Sequence, residues 1–237
     1  GDVYKRQIER PLVFGNNDTP GVMLSSAAKE YLKVYGVLVG KKPLIFTNND
    51  SGYETAIEFK KNGVEPIILD TRKEPNSEII EEAKNLGIKI KFSYVVVAAK
   101  GYKKVNAAEI AKISDNKNDL GTLENITCDC ICVSGFWTPT IHLASQSGNK
   151  TTFNKDIDAF VPGVSKQSET TLGAAKGTFT LAETLKDSFN AGYELSKKIT
   201  KNDNKISHPT VVEKNKTTHD KFWCVPLPKG KNYKRFL

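Results

Sequence analysis

The sequence contains no run of about 18 apolar residues, so nothing in it is long enough to cross a membrane as a helix. Its N-terminal stretch carries no apolar signal region. Four cysteines in 237 residues are too few for a disulfide framework, and a reducing, cytoplasmic setting is the simplest expectation. The three histidines, His142, His208 and His219, lack metal-ligand spacing. No H-E-x-x-H motif, nucleophile–base pair or P-loop lysine is visible, so no catalytic residue and no metal ligand is assigned. A uniformly basic face is missing too. Residues 201–237 hold nine Lys/Arg against three Asp/Glu and carry +6 of the +8 net charge, leaving the body nearly neutral. That pattern argues against nucleic acid as a partner and suggests a solvated basic linker or an anion-binding tail.

Strands and helices alternate along the chain. Residues 42–46, 64–70 and 88–92 read as strands, and 53–62 and 77–86 as helices stopped by Gly63 and Gly87. Strand–helix–strand–helix–strand predicts a parallel sheet. Before it, 12–14 reads as a short strand and 25–36 as a helix with a serine N-cap and Gly36 at its end. After it, 94–99 and 105–113 form an antiparallel ribbon, and a polar loop leads into a strand at 126–133. Residues 159–163 read as a strand, and 172–192 as one long helix rich in small residues at its start. A polar linker follows at 200–221, and 222–227 opens an apolar segment that the chain does not complete.

Chemistry concentrates at three places. The stretch Thr47-Asn48-Asn49-Asp50-Ser51-Gly52 follows a strand and opens a helix, the frame of a G-x-G-x-x-G dinucleotide turn. Only the packing glycine, Gly52, is present; Thr47 and Asn49 replace the two that shape the turn and admit pyrophosphate. Asp50 sits at the helix N-terminus, where it serves the helix dipole and repels phosphate. Asp70 ends the next strand, about where a ribose-binding acid belongs. The loop is therefore a live nucleotide site or a turn kept for architecture. Cys128, Cys130 and Cys132 alternate along one strand and are expected on one face, as small core residues or as a redox cluster. Ser134-Gly135 and the run Gly173-Ala174-Ala175-Lys176-Gly177 put small residues at a strand end and a helix start, which suits either an anion or cofactor edge or tight packing.

Several segments resemble a known family. IERPLVF (8–14), NNDTPGVML (16–24), FTNND (46–50), VSGFWTPTIHLASQSGNK (133–150), AFVPG (159–163) and GAAKGTFTLAETLKDS (173–188) are similar, in this order, to the alpha subunits of heterotetrameric sarcosine oxidases. The resemblance implies an α/β fold: a Rossmann-like FAD/NAD(P)-binding fold of the thioredoxin reductase type, with a parallel sheet, helices on both faces and an antiparallel β-ribbon. It also implies a domain order. Residues 1–7 read as a non-native leader, 8–36 as a return segment of an incomplete first nucleotide-binding domain, 37–130 as an inserted second one, 131–199 as the rest of the first, and 200–237 as a basic linker and the start of a folate-binding domain. The family places NAD in the alpha subunit's first domain, FMN at the interface with the beta subunit and FAD in the beta subunit. It places tetrahydrofolate in the C-terminal domain and has beta, gamma and delta subunits as partners. By motif position, Ser134, Gly135, Gly173, Ala174 and Gly177 would line the NAD edge. Phe136 departs from the family's usual VSGGW and narrows that edge. The implied activity is oxidative demethylation of sarcosine to glycine, with the one-carbon unit passed to tetrahydrofolate and this segment inactive alone. A dye-linked opine or amino-acid dehydrogenase subunit, or a non-catalytic assembly subunit with vestigial sites, stands as the alternative.

Overall fold

The computed structural model describes residues 7–200, Val211 and 219–236. In chain order its elements are β1 (Gln7–Glu9), β2 (Val22–Leu24), α1 (Ser25–Tyr35), β3 (Pro43–Thr47), α2 (Ser51–Lys61), β4 (Ile67–Asp70), α3 (Glu78–Asn85), β5 (Lys89–Phe92), β6 (Tyr94–Lys100), β7 (Ala107–Lys112), β8 (Glu124–Thr127), β9 (Cys130–Ser134), β10 (Trp137–Pro139), α4 (His142–Gln146), β11 (Thr151–Asn154), β12 (Ala159–Pro162), a 3₁₀ turn (Gly173–Ala175) and α5 (Leu181–Thr200). They divide between two compact units, Glu9–Phe136 with Thr217–Leu237, and Trp137–Lys216 with Gly1–Ile8. Among the described residues no helix is long and apolar enough to cross a membrane. Of the expected leader, Gln7 lies in β1; residues 1–6 lie outside the described residues, as do 201–210 and 212–218 of the expected linker and with them His208.

The first unit is built on a five-stranded parallel sheet in the order β2-β9-β3-β4-β5. Side chains alternate across a strand, so Leu44 and Phe46 fall on one face of β3 and Ile45 on the other. The Ile45 face, with Ile68, Cys130 and Cys132, packs under α1, α2 and α3 through Ala28, Tyr53, Phe59 and Ile80. The opposite face, with Leu69, Ile131 and Val133, is covered by the antiparallel sheet β6-β7-β8. Gly36 and Gly87 end α1 and α3 with φ of 64° and 74°, a left-handed geometry that side chains resist.

Four details of this unit differ from the sequence reading. Helix α1 begins after Leu24 with no side-chain cap, so serine does not play that part. Residues 12–14 form no ladder strand; Val13 and Gly15 make single bridges to Cys224 and Ala98. The expected strand 126–133 breaks at Cys128–Asp129, because the Asp129 carboxylate turns aside to accept from the backbone N–H groups of Lys41 and Lys42 at 2.7 and 2.8 Å. Cys128 thus joins the core beneath β6–β8, while Cys130 and Cys132 join the helical side, so the three thiols do not share a face. Finally, 222–227 does not lead outward: Phe222 and Val225 are buried in the core of this first unit.

In the second unit β11 pairs antiparallel with β12 and β10 pairs with β1. The expected helix 172–192 is two elements. The 3₁₀ turn at Gly173 closes with Lys176 N donating to Gly173 O at 2.8 Å. Helix α5 then starts afresh after Thr180. The Thr180 hydroxyl accepts from Glu183 N (3.3 Å) and donates to Glu183 Oε2 (2.9 Å), a local pair that caps the first turn.

Candidate functional site

In an open parallel sheet a ligand sits beyond the carboxyl ends of the strands, where the strand order reverses. Here that point lies between β3, which leads outward to β4 and β5, and β9 on its other side. The loop after β3 is closed on itself. The Thr47 hydroxyl donates to Asn49 O at 2.8 Å and accepts from Asn49 N at 3.2 Å. Asn49 Oδ1 accepts from Ser51 N at 2.8 Å, taking a free N–H of the first turn of α2. Asn49 Nδ2 reaches across the reversal point to Ser134 O (3.1 Å) and Ser134 Oγ (3.2 Å). Gly52 keeps its packing role, since a Cβ there would stand 2.7 Å from the Thr47 side chain. Thr47, Asn48 and Asn49 are all buried.

The carboxylates expected to meet a nucleotide are bound internally. Asp50 stands at the N-cap of α2 but makes no cap bond; its Oδ1 takes Arg72 Nη1 at 2.8 Å. Asp70, fully buried, takes Arg72 Nη2 (2.8 Å), Arg72 Nε (3.0 Å), the Arg72 backbone N–H (2.9 Å) and the Tyr53 hydroxyl (2.7 Å). Burial together with the Asp70 charge raises the Tyr53 pKa far above its usual value. Burial alone would lower the Arg72 pKa; the bonds and charges of Asp70 and Asp50 outweigh it and raise it. Arg72 is therefore a fixed cation clamping the ends of α2 and β4. The sequence reading missed Arg72 and Tyr53. The available signal was Asp-x-Arg directly after a strand facing a helix that opens with Asp.

The remaining space above β3 and β4 is taken by the chain itself. His219 bridges Asn49 in antiparallel fashion, and Asp220 N donates to Asn48 O at 2.9 Å. Asn48 Nδ2 donates to Asp220 O (2.9 Å) and Phe222 O (3.1 Å). The Asp220 carboxylate accepts from the Thr71 hydroxyl (3.2 Å) and pairs with Lys117 (2.8 Å). Beside this segment opens a pocket of about 360 Å³ whose lining includes Arg72, Lys73 and Lys117. Its cations are matched by carboxylates, Lys73 by Asp115 and Lys117 by Asp220.

Of the five residues expected at a cofactor edge, Ser134 and Gly135 lie at the end of β9. Ser134 is fully buried. Gly135 N donates to Arg10 O at 2.7 Å, and a Cβ on Gly135 would sit 2.7 Å from Arg10 O and 2.9 Å from Pro11 O. Glu9 closes the same corner by accepting from Ser26 N at 2.8 Å, and burial raises its pKa against the opposing bonds of Ser134 and Ser26. Gly173, Ala174 and Gly177 lie in the other unit. There Thr184 stands over Gly173, and Ile157 and Val161 over Gly177. Among the described residues no group of three or more His, Cys, Asp or Glu is placed to hold a metal ion.

No family model matches the chain. It is 38% identical over 172 residues to "Sarcosine oxidase subunit alpha" of Rhizobium meliloti (strain 1021), covering 72% of this chain and 16% of that protein. It is 32% identical over 179 residues to the protein of the same description from Corynebacterium sp. (strain P-1), covering 75% and 18%. The chain is a relative of the sarcosine oxidase alpha subunits. It spans less than a fifth of the length of the curated relatives it matches. Among solved structures it is similar to Lactococcus lactis thioredoxin reductase, with a TM-score of 0.56 at 15% identity over 77% of this chain and 59% of that one. It is also similar to L-proline dehydrogenase from P. horikoshii, with a TM-score of 0.52 at 20% identity over 83% and 34%. The fold is thus α/β, of the thioredoxin reductase type.

Proposed function

We propose that the chain is a cofactor-scaffold segment of a flavin-dependent oxidoreductase of the sarcosine oxidase type. The observation that carries this reading is the 38% identity over 172 residues to a sarcosine oxidase alpha subunit. On this reading the whole protein oxidises sarcosine at its CH–NH bond to give glycine, working with beta, gamma and delta subunits, FMN, FAD, NAD and tetrahydrofolate. We further propose that Glu9–Phe136 corresponds largely to the second nucleotide domain and Trp137–Thr200 to a return segment of the first. Gly173, Ala174 and Gly177 remain candidates for an NAD edge, and Ser134 and Gly135 act by positioning the loop. The crevice beyond β3 does not fit a dinucleotide: Asn49, the Arg72 clamp and His219–Phe222 occupy the room that pyrophosphate and ribose need.

The test is purification of the full-length protein with its partner subunits, analysis of released flavins and NAD, and peroxide release with sarcosine. Bound flavin with sarcosine-dependent peroxide supports the reading. Dye-linked oxidation of an opine or amino acid without peroxide would move the assignment to a dehydrogenase subunit. Absence of any nucleotide would make the chain an assembly subunit.

A further inference from the structure

The C-terminal residues of the first unit run as a strap over the carboxyl edge of its parallel sheet. His219–Trp223 contacts every loop that would flank a dinucleotide there: Asn48 and Asn49 after β3, Thr71 after β4, Lys117 beyond β7 and Phe136 after β9. Phe136 takes φ of +74°, a conformation strained for a bulky side chain and held only where the surroundings dictate it. Its ring stacks on His219 with centroids 3.9 Å apart and planes 7° from parallel. Arg10 covers the Trp223 ring at 3.6 Å, and Trp223 O and Val225 N bond the Val13 backbone at 2.7 and 2.8 Å. Farther on, the buried Glu109 accepts from Lys231 (2.8 Å) and Tyr233 (2.7 Å), and Asn17 exchanges two hydrogen bonds with Phe236.

We propose that the His219–Trp223 strap is a built-in peptide occupant of the dinucleotide seat, so that strap and nucleotide exclude one another. The inference rests on the reading of this unit as a nucleotide-fold domain, but not on the reaction of the whole protein. Three features point to a seated occupant. The strap satisfies Asn48 through its backbone, as a bound peptide would. It matches Lys117 with a carboxylate of its own. It also stacks the His219 ring on Phe136, a residue held at φ of +74°, so Phe136 and His219 act as one latch.

Hydrogen exchange on the full chain tests this at the Asp220 and Val225 amides, with and without NADH in large excess. In the wild type both amides are protected, and NADH either fails to bind or binds only as their protection falls. Phe136→Gly and Asp220→Ala each speed exchange at Asp220 by about tenfold or more while the amides of β3 and β4 stay protected. NADH bound at this unit with the strap still protected would overturn the proposal. So would unprotected strap amides in the wild type, or strap exchange untouched by both substitutions. Should either variant misfold, the β3 and β4 amides reveal it and the wild-type comparison with NADH still decides. A whole protein without amine oxidase activity would leave these outcomes unaffected.

Discussion

Replacing Arg72 by methionine keeps the aliphatic stem and removes the cation. The Asp70 side chain is fully buried, that of Arg72 is 9% exposed and that of Asp50 12% exposed. Removing one partner of a buried ion pair leaves an uncompensated charge and destabilises by about 3–5 kcal/mol. Two features set the value here. Asp70 keeps two donors, the Tyr53 hydroxyl and the backbone N–H of residue 72, which moves its share to the low end. Asp50 has some access to water and adds about 1 kcal/mol or less. The expected loss is therefore about 3–4 kcal/mol, or roughly 6–16 °C in Tm for a chain of this size. Urea unfolding followed by fluorescence in a Trp137→Phe background, which leaves Trp223 to report on this unit, provides the assay. The triple variant Arg72→Met/Asp50→Asn/Asp70→Asn removes the stranded charges as well, and it is expected to recover at least about 2 kcal/mol of the loss. A single-variant loss below about 1 kcal/mol, the range of exposed pairs, would refute the buried clamp. So would a triple variant no more stable than the single one.

Other perturbations probe the same architecture. Gly135→Ala forces a Cβ against the Arg10 and Pro11 carbonyls and is expected to destabilise by roughly 1–3 kcal/mol in the same denaturation assay. Gly192→Ala in α5, in the other unit and with nothing within 4 Å, is expected to stabilise by roughly 0.5–1 kcal/mol in urea unfolding followed by helical circular dichroism. Of the four thiols only the exposed Cys224 is expected to react with a disulfide reagent in the native state, because burial pushes Cys128 up to about 12 and the neighbouring Cys130 together with burial raises Cys132; denaturant should release all four. Glu109 supplies the pH test. Burial alone would raise its pKa, but the bonds from Lys231, Tyr233 and Lys100 hold it at about 2. A carboxyl depressed in the fold stabilises above its unfolded value near 4.3 and loses that contribution as pH falls from there toward about 2. The Phe236 amide, which donates to Asn17 Oδ1 in the segment that Glu109 anchors through Lys231 and Tyr233, should therefore lose hydrogen-exchange protection across that window in the wild type, and Glu109→Gln should flatten the dependence.

Sequence periodicity revealed what local physics controls. The strands and helices from β3 to β5 were legible because β-branched and apolar runs alternate with amphipathic segments, each ending at a glycine. The loss of the phosphate-seating glycines was legible for the same reason, since Thr47, Asn49 and Asp50 each have a definite local preference. The break at Asp129 was not, because its cause is a bond to a turn 87 residues away. Nor was the strap legible. It docks by backbone hydrogen bonds across 172 residues of chain, and its sequence shows neither helical nor strand alternation. The Gly173–Gly177 run misled because small residues suit both a helix start and a turn beneath Ile157 and Val161.

The departures from the dinucleotide pattern act as a set. A seat that had only lost its glycines would leave buried donors and acceptors unmatched, at about 1–3 kcal/mol each. Here Asn49 spans to Ser134, Asn48 to the strap, and Asp50 and Asp70 to Arg72. Phe136 and Lys117 stand at φ of 74° and 61°, a strain of about 1–3 kcal/mol each, and both touch the strap, Phe136 by stacking on His219 and Lys117 by pairing with Asp220. Reverting one position therefore does not restore a phosphate seat. Asn49→Gly frees room for pyrophosphate but cuts the bonds to Ser134 and Ser51 and leaves His219–Phe222 in place, so the variant should lose stability without gaining NADH affinity. Nucleotide entry requires the strap to move first, because the strap fills the space the phosphates would need while the loop beneath it only shapes the floor.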